Sequence, residues 1–170
     1  DDPSININTE LSQEILKDLP TSISYANYFA EKDIITLKKD TPENFTNYLK
    51  EFNAIISGSF GNLPQSEIMI FSEALQAEDL SQLSILDIYL SAYQITLTKL
   101  RSLPVPPTFT NLHLAYLNAT KRQQAAVEKM RGAENDVIKG TYGAQEYIAA
   151  NNEVATIEQK LQKTINEKKF

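Results

Sequence analysis

The segment from Leu80 to Leu103, LSQLSILDIYLSAYQITLTKLRSL, carries the most apolar helical pattern of the chain. One apolar stripe follows alternating steps of three and four residues, and it comprises Leu83, Leu86, Leu90, Tyr93, Leu97 and Leu100. A second stripe lies beside it, and it comprises Ile85, Ile88, Tyr89, Ala92 and Ile95. Since a helix that is apolar on more than one side must be surrounded by protein, we predict a central helix at residues 80–103.

Two long helices are predicted downstream of this segment. The prolines of Pro104-Val105-Pro106-Pro107 end the central helix and turn the chain, because each fixes its own φ and disfavours helix in its predecessor. A helix led by Thr108 then runs to about Gly132, and we interpret the glycine-containing residues 135–143 as a loop. A last helix follows, with outward-facing residues 151–153. Its seam has steps of three and four, and it comprises Tyr147, Ala150, Val154, Ile157, Leu161 and Ile165.

Two shorter helices are predicted upstream of the central one. Thr41 can cap the first, and Pro42 suits its first turn because an N–H there would have no helical partner. Residues 57–62 end this helix. Residues 64–67 begin the next, which closes at residues 78–79, and we expect the two helices to form a hairpin.

Residues 1–40 are predicted to be peripheral to the main bundle. They begin with a short helix from Asn8 to Leu19, followed by a connector. The β-branched run at residues 33–37 belongs to this connector on our interpretation, because no second strand is available to pair with it. We expect Ile34 and Leu37 to pack onto the bundle.

Length and composition indicate one folded domain. A chain of 170 residues with 42% hydrophobic and 22% charged residues is typical of a single globular domain. We therefore predict that residues 1–170 form one all-α domain, an antiparallel bundle of about five to six helices whose main part spans residues 41–168.

The composition excludes several kinds of chemistry. The absence of cysteine excludes thiolate metal sites and cysteine nucleophiles, and the single histidine, His113, excludes paired imidazole ligands. A net charge of −6 argues against a nucleic-acid partner, and no run of about 20 apolar residues is present to span a bilayer. We predict no catalytic, cofactor-binding or metal-binding residues, no cofactor and no enzymatic activity.

Three groups of side chains are candidate sites. His113 is expected to have a structural role, bonding a carbonyl near the start of its helix. The carboxylates of Glu128, Glu134 and Asp136 would indicate an enzyme only if a buried cluster lay in a cleft. The tyrosines either pack in the core or line a groove, and they are Tyr25, Tyr28, Tyr48, Tyr89, Tyr93, Tyr116, Tyr142 and Tyr147.

Four features follow one another along the chain in a characteristic order. They are residues 28–37, residues 41–48, the helix at 83–100, and Leu103-Pro104-Val105-Pro106-Pro107 followed by His113. In this order the chain resembles uncharacterised envelope proteins of candidate-phyla (Parcubacteria-like) bacteria, and the proline-then-histidine element is similar to helical lipoprotein domains of other bacteria. The resemblance implies an extracytoplasmic domain, membrane-anchored or secreted, behind an N-terminal anchor or signal. It implies no activity and no functional residues.

We therefore expect a non-enzymatic interaction or scaffold module of the cell envelope. Its partner would be an envelope protein, and its contact with the membrane would pass only through a segment preceding Asp1. The alternative is a small-ligand-binding module with a tyrosine-lined cleft between the central helix and its neighbours. A ligand-shaped apolar cavity would favour the alternative, and a solid core would argue against it.

Overall fold

The computed structural model describes residues 27–168, so the helix predicted from Asn8 to Leu19 lies outside the described residues. Five α-helices form the described part, which confirms the predicted all-α helical bundle. They are α1 (Pro42–Phe60), α2 (Glu67–Gln76), α3 (Leu86–Ser102), α4 (Thr110–Arg131) and α5 (Val137–Lys168). Short 3₁₀ turns at Leu80–Ile85, Pro107–Phe109 and Gly132–Glu134 lead into α3, α4 and α5.

The start of α1 follows the predicted capping chemistry. The Asn44 backbone N–H donates to Thr41 Oγ1 at 3.1 Å, and Pro42 occupies the first helical position. Both residues leave one fewer unpaired amide in the first turn.

Two apolar clusters make up the core, one at each end of the bundle. The first lies between α1 and the adjoining halves of α3, α4 and α5; its members include Phe45, Phe52, Leu100, Leu117 and Ile157. The second lies under α2; its members include Phe71, Leu86, Val127, Met130 and Tyr147. Helices α3, α4 and α5 therefore run through both clusters.

The prediction that α1 and α2 form a hairpin is wrong. Helix α1 packs along α3, whereas α2 packs on the Leu80–Ile85 turn, on the start of α3 and on α5. The two helices cover different clusters, because each buries its apolar face at its own end of the bundle.

The predicted enclosure of the helix at 80–103 is also wrong. The first stripe is buried as expected, with Leu83, Leu86 and Leu100 fully inaccessible. From the second stripe, Ile88 is 59% exposed and Ile95 is 49% exposed. One side of α3 therefore faces solvent with its isoleucines uncovered.

The most enclosed helix is α4. It lies between α3 and α5, and it buries apolar and polar residues alike. Antiparallel packing against α5 is shown by two cross-helix hydrogen bonds: Arg122 Nε donates to a Glu153 carboxylate oxygen at 3.1 Å, and Gln123 Nε2 donates to Asn151 Oδ1 at 3.2 Å. Residue 153, predicted to face outward, thus joins the interface with α4.

The loop predicted at residues 135–143 is wrong, because α5 already begins at Val137. Its first turns contain two buried glycines that lie against α4 and the following turn. A Cβ on Gly140 would lie 2.4 Å from the Ala133 Cβ, and a Cβ on Gly143 would lie 2.6 Å from the Lys129 Cβ. Glycine therefore serves close helix packing here and does not end the helix.

The connector before α1 forms a strap across the bundle (residues 27–37). Strand β1 (Ile35–Thr36) pairs in parallel with strand β2 (Pro104–Val105), so the prediction that no second strand was available is wrong. The Leu37 N–H also donates to the Val105 carbonyl at 2.8 Å, and the side chain of Ile34 packs against the first core cluster. The proline-rich turn after α3 supplies the partner strand because Pro104 and Val105 are extended.

The strap is also fastened to the side of α4. Asn118 Oδ1 accepts from the N–H groups of Tyr28 and Phe29 at 2.7 and 2.9 Å, and Asn118 Nδ2 donates to the Phe29 carbonyl at 3.1 Å. The same Nδ2 donates to the Leu114 carbonyl at 2.9 Å. One buried amide thus replaces the sheet partners that this extended segment lacks.

Two alanine substitutions test the packing role of glycine. We expect Gly143→Ala to lower the free energy of unfolding by about 1–3 kcal/mol, because the new methyl group forces α4 and α5 apart. The matched control is Gly58→Ala in α1, where nothing lies within 4 Å of an added Cβ. Gly58→Ala should raise the free energy of unfolding by about 0.5–1 kcal/mol through helix propensity. Urea denaturation measures both; equal effects of the two substitutions would contradict the close-packing account.

Candidate interaction surface

His113 lies in the first core cluster and is 1% exposed. Its Nε2 bonds the Leu100 carbonyl at 3.0 Å, and its Nδ1 bonds the Tyr48 hydroxyl at 3.1 Å. Because a carbonyl can only accept, Nε2 carries the proton, and Nδ1 then accepts from the tyrosine. The carbonyl belongs to the last turn of α3, not to the start of the histidine's own helix as predicted. The ring therefore links α1, α3 and α4.

Burial keeps this histidine neutral. It lowers the pKa of His113 to about 4, although the bond to the Leu100 carbonyl acts in the opposite direction. Burial also raises the pKa of Tyr48 well above its ordinary value, so its hydroxyl remains a donor. The neighbourhood is aromatic, with the Tyr48 and Phe109 rings stacked at a centroid distance of 5.2 Å. The side chains of His113 and Tyr48 are both almost completely buried. A proton-transfer site would require access to solvent, which neither side chain has.

Glu67 is a buried carboxylate that the sequence did not single out. It begins α2, is 6% exposed, and accepts one hydrogen bond on each oxygen: from the Tyr93 hydroxyl at 2.8 Å and from the Tyr147 hydroxyl at 2.8 Å. Burial is the main cause that raises the pKa of both tyrosines, and the charge of Glu67 raises it further. Both tyrosines therefore remain protonated donors. The Tyr89 hydroxyl donates to the Gln65 carbonyl at 2.6 Å nearby. These bonds join α2 to α3 and α5.

The carboxylates that are candidates for a catalytic pair do not form a buried cluster. Glu128, Glu134 and Asp136 are exposed, and Glu134 pairs with Arg131, which also bonds Asp87 at 3.1 Å. Within residues 27–168, no group of three or more histidine, aspartate or glutamate side chains is arranged to hold a metal ion.

Tyr25 lies outside the described residues, and of the tyrosines within residues 27–168 five belong to the core: Tyr48, Tyr89, Tyr93, Tyr116 and Tyr147. The gap beside Tyr48, His113 and Tyr116 is too narrow to admit a water molecule. The packing at this position does not provide the tyrosine-lined cleft that the ligand-binding alternative requires.

A groove of about 670 Å³ lies elsewhere, between the strap and α4. Its lining includes Tyr28, Lys32 and Asp33 from the strap and Asn111 and Asn118 from α4. The amide of Asn118 is already engaged by four hydrogen bonds to the strap and to α4, so it is not available to a ligand in this groove.

The outer face of α5 carries a different kind of surface. Ile138 is 72% exposed and Tyr142 is 61% exposed, one helical turn apart, and Ile148 is 42% exposed. Most neighbouring outward positions are uncharged, and Lys139 is the exposed cation beside Ile138. We define the α5 patch as Val137, Ile138, Thr141, Tyr142, Gln145, Ile148 and Ala149.

Charge lies only at the edge of this patch. Lys139 is exposed beside Ile138, and Glu146 pairs with Lys129 of α4. A surface centred on exposed aliphatic and tyrosine side chains, with charge at its edge, has the composition of a protein–protein interface. The sequence could have indicated this patch, because Ile138, Tyr142 and Ile148 are large apolar residues that lie outside the predicted seam of the last helix.

No helix within the described residues is long and apolar enough to cross a lipid bilayer.

The pH dependence of stability tests the burial of His113. Its folded pKa of about 4 lies below the unfolded value of 6.5, so only the unfolded chain gains a proton as the pH falls through this range. We expect this group to remove about 3 kcal/mol of stability between pH 6.5 and 4, and nothing further below that. The measurement is the free energy of unfolding of the wild-type chain minus that of His113→Gln at each pH. Parallel pH profiles for the two proteins would refute the assignment.

Removal of a phenol donor tests the bonds to Glu67. We expect Tyr93→Phe and Tyr147→Phe each to lower the free energy of unfolding by about 1.5–3 kcal/mol, because a buried carboxylate oxygen then lacks a donor. Tyr142→Phe is the control, since its hydroxyl is exposed, and it should change stability by less than about 0.5 kcal/mol. Chemical denaturation of all three variants makes the comparison, and three equal values would rule out the buried bonds as a source of stability.

No protein-family model matches the chain, and no curated protein or solved structure is significantly similar to it.

Proposed function

We propose that this chain is a non-enzymatic protein-interaction module of the cell envelope, and that the α5 patch is its binding surface. The observation that carries the proposal is the exposure of Ile138 and Tyr142 at 72% and 61% on a face with charge only at its edge. Monomeric proteins seldom leave contiguous apolar surface uncovered, and tyrosine is among the residues that contribute most at interfaces.

The rigidity of the supporting helix favours this role. The residues directly behind the patch, Gly140, Gly143 and Ala144, are buried against α4 and the second core cluster. A partner would meet a preformed helical face, and little conformational entropy would be lost on binding. The absence of charge from the patch residues themselves points to a partner with a mainly aliphatic contact surface, because a charge buried at its centre would lose hydration without gaining a counter-charge.

The envelope location is the part of the proposal that draws on the sequence resemblance. An extracytoplasmic domain held by a preceding anchor or signal would present the α5 patch to other envelope proteins. Fractionation of cells that carry the complete gene product tests this location, and recovery in the cytoplasmic fraction would contradict it.

Site-specific photo-cross-linking tests the binding surface. A benzophenone amino acid in place of Tyr142, in the full chain in its native cells, should give one discrete adduct with a second protein. The matched control carries the same probe in place of Gln162, which is exposed on the same helix about 30 Å away. We expect no adduct there.

A substitution then separates binding from folding. Ile138→Ser should abolish the Tyr142 adduct and leave the free energy of unfolding within about 0.5 kcal/mol, since Ile138 is mostly exposed. An adduct that also forms from Gln162, or one that persists in Ile138→Ser, would contradict binding by the α5 patch.

A further inference from the structure

The outer face of α3 carries a second helix-packing pattern. Five exposed residues follow alternating steps of three and four, and they are Ile88, Ser91, Ile95, Thr98 and Ser102. This is the spacing at which one helix presents a continuous seam to another. The inner seam of α3 is already occupied by the bundle, so we call the five residues the outer seam.

The polar members of the outer seam need no water. Ser91 Oγ donates to the Asp87 carbonyl at 2.9 Å, and Thr98 Oγ1 donates to the Gln94 carbonyl at 2.8 Å. Ser102 Oγ donates to the Thr98 carbonyl at 3.2 Å. Because these hydroxyl protons are bonded within the helix, another helix could cover the seam without leaving an unpaired donor.

The seam is complementary to itself when a second copy runs antiparallel. We place the two-fold axis level with position 93 along the helix. Ser91 then faces the partner's Ile95, and Ile88 faces the partner's Thr98. Each isoleucine then meets a small residue, which permits close packing. A parallel arrangement would place isoleucine on isoleucine and serine on serine, leaving gaps between the serine layers.

Charge supports the same arrangement. Asp87 lies beside one end of the seam and Arg101 beside the other, and both are exposed. In the antiparallel register Asp87 of each copy lies two residues, or about 3 Å along the axis, from the level of the partner's Arg101, within reach of its long side chain. Two symmetry-related ion pairs can then form at the edges of the contact. The Asp87 side chain is 60% exposed despite its bond to Arg131, so it is open to a second cation.

We propose that the protein self-associates as a two-fold symmetric dimer through antiparallel pairing of the outer seams. Helix α3 spans 17 residues, or about 25 Å. A single helix pair of this length covers less than the roughly 800 Å² per partner of a standard stable interface, so the dimer belongs to the weak, transient class. This contact lies on α3 and is independent of the α5 patch.

Sedimentation equilibrium of the full chain, from micromolar to millimolar concentration, tests the dimer. We expect reversible dimerisation, and we expect Ile95→Glu to raise the dissociation constant by at least about tenfold. Ile138→Glu in the α5 patch is the control and should leave the dissociation constant unchanged. A monomer at every concentration overturns the proposal, as does a dimer that Ile95→Glu leaves intact.

Charge exchange tests the register. Asp87→Arg and Arg101→Glu should each weaken the dimer, and the double variant should restore it, because the ion pair is then re-formed with reversed signs. Failure of the double variant to recover affinity relative to both single variants would overturn the antiparallel register.

Single cysteines introduced into this cysteine-free chain test the geometry directly. A mixture of Ser91→Cys and Ile95→Cys proteins should form a mixed disulfide on mild oxidation, whereas each protein alone should form little. Efficient disulfide formation by Ile95→Cys alone would indicate parallel pairing and overturn the proposal. A monomer in which Ile95→Glu lowers the free energy of unfolding would show that the chain's own residues before Asn27 cover the seam, and that result also overturns it.

Discussion

The close contact between α4 and α5 is the constraint on which the rest of the structure depends. It requires glycine at positions 140 and 143, because a Cβ at either position would lie well inside van der Waals contact with α4 or the turn that follows it. This approach brings Tyr147 to Glu67, so that α2 is bonded to α5 and the second core cluster is closed. The same turns of α5 carry Ile138 and Tyr142 on the opposite side. Packing on one face of the helix thus fixes the position of the exposed patch on the other.

Polar groups in the interior give the bundle its particular arrangement. Helix α4 buries His113, Asn118 and Gln123, and each of these bonds a different neighbour: the end of α3 with Tyr48, the strap, and α5. An apolar core tolerates sliding of one helix along another, whereas each of these bonds can form in only one register. The unpaired alternative carries a desolvation cost, so the polar residues select one packing among several that would bury similar apolar area.

The helices can be predicted from local sequence patterns, but the tertiary contacts around each helix cannot. The steps of three and four in the inner stripe of α3 and in the seam of α5 predicted these helices, and Thr41 with Pro42 predicted the start of α1. The local sequence around the glycines of α5 predicts a loop, and this prediction is wrong because their effect depends on Lys129 of α4 and Ala133 of the turn after it. Likewise, an isoleucine such as Ile88 has the same periodicity whether it is covered or exposed. The burial of Glu67 depends on tyrosines from two distant helices, and the pairing of β1 depends on a strand after α3. Such features are set by tertiary contact, which the sequence of one element does not record.

The bracket that Asn118 forms around the strap determines how the bundle would bear tension. Residue 27 reaches the bundle at the middle of α4, not at a helix end, and the next attachment along the chain is the pairing of β1 with β2. A force applied to the chain at residue 27 is therefore first resisted by the bonds to one buried amide and by the packing of Phe29 and Ile34 on the first core cluster, and then by the short strand pair. Tension from this side thus enters the bundle through the flank of α4 and the turn after α3 before it reaches the start of α1.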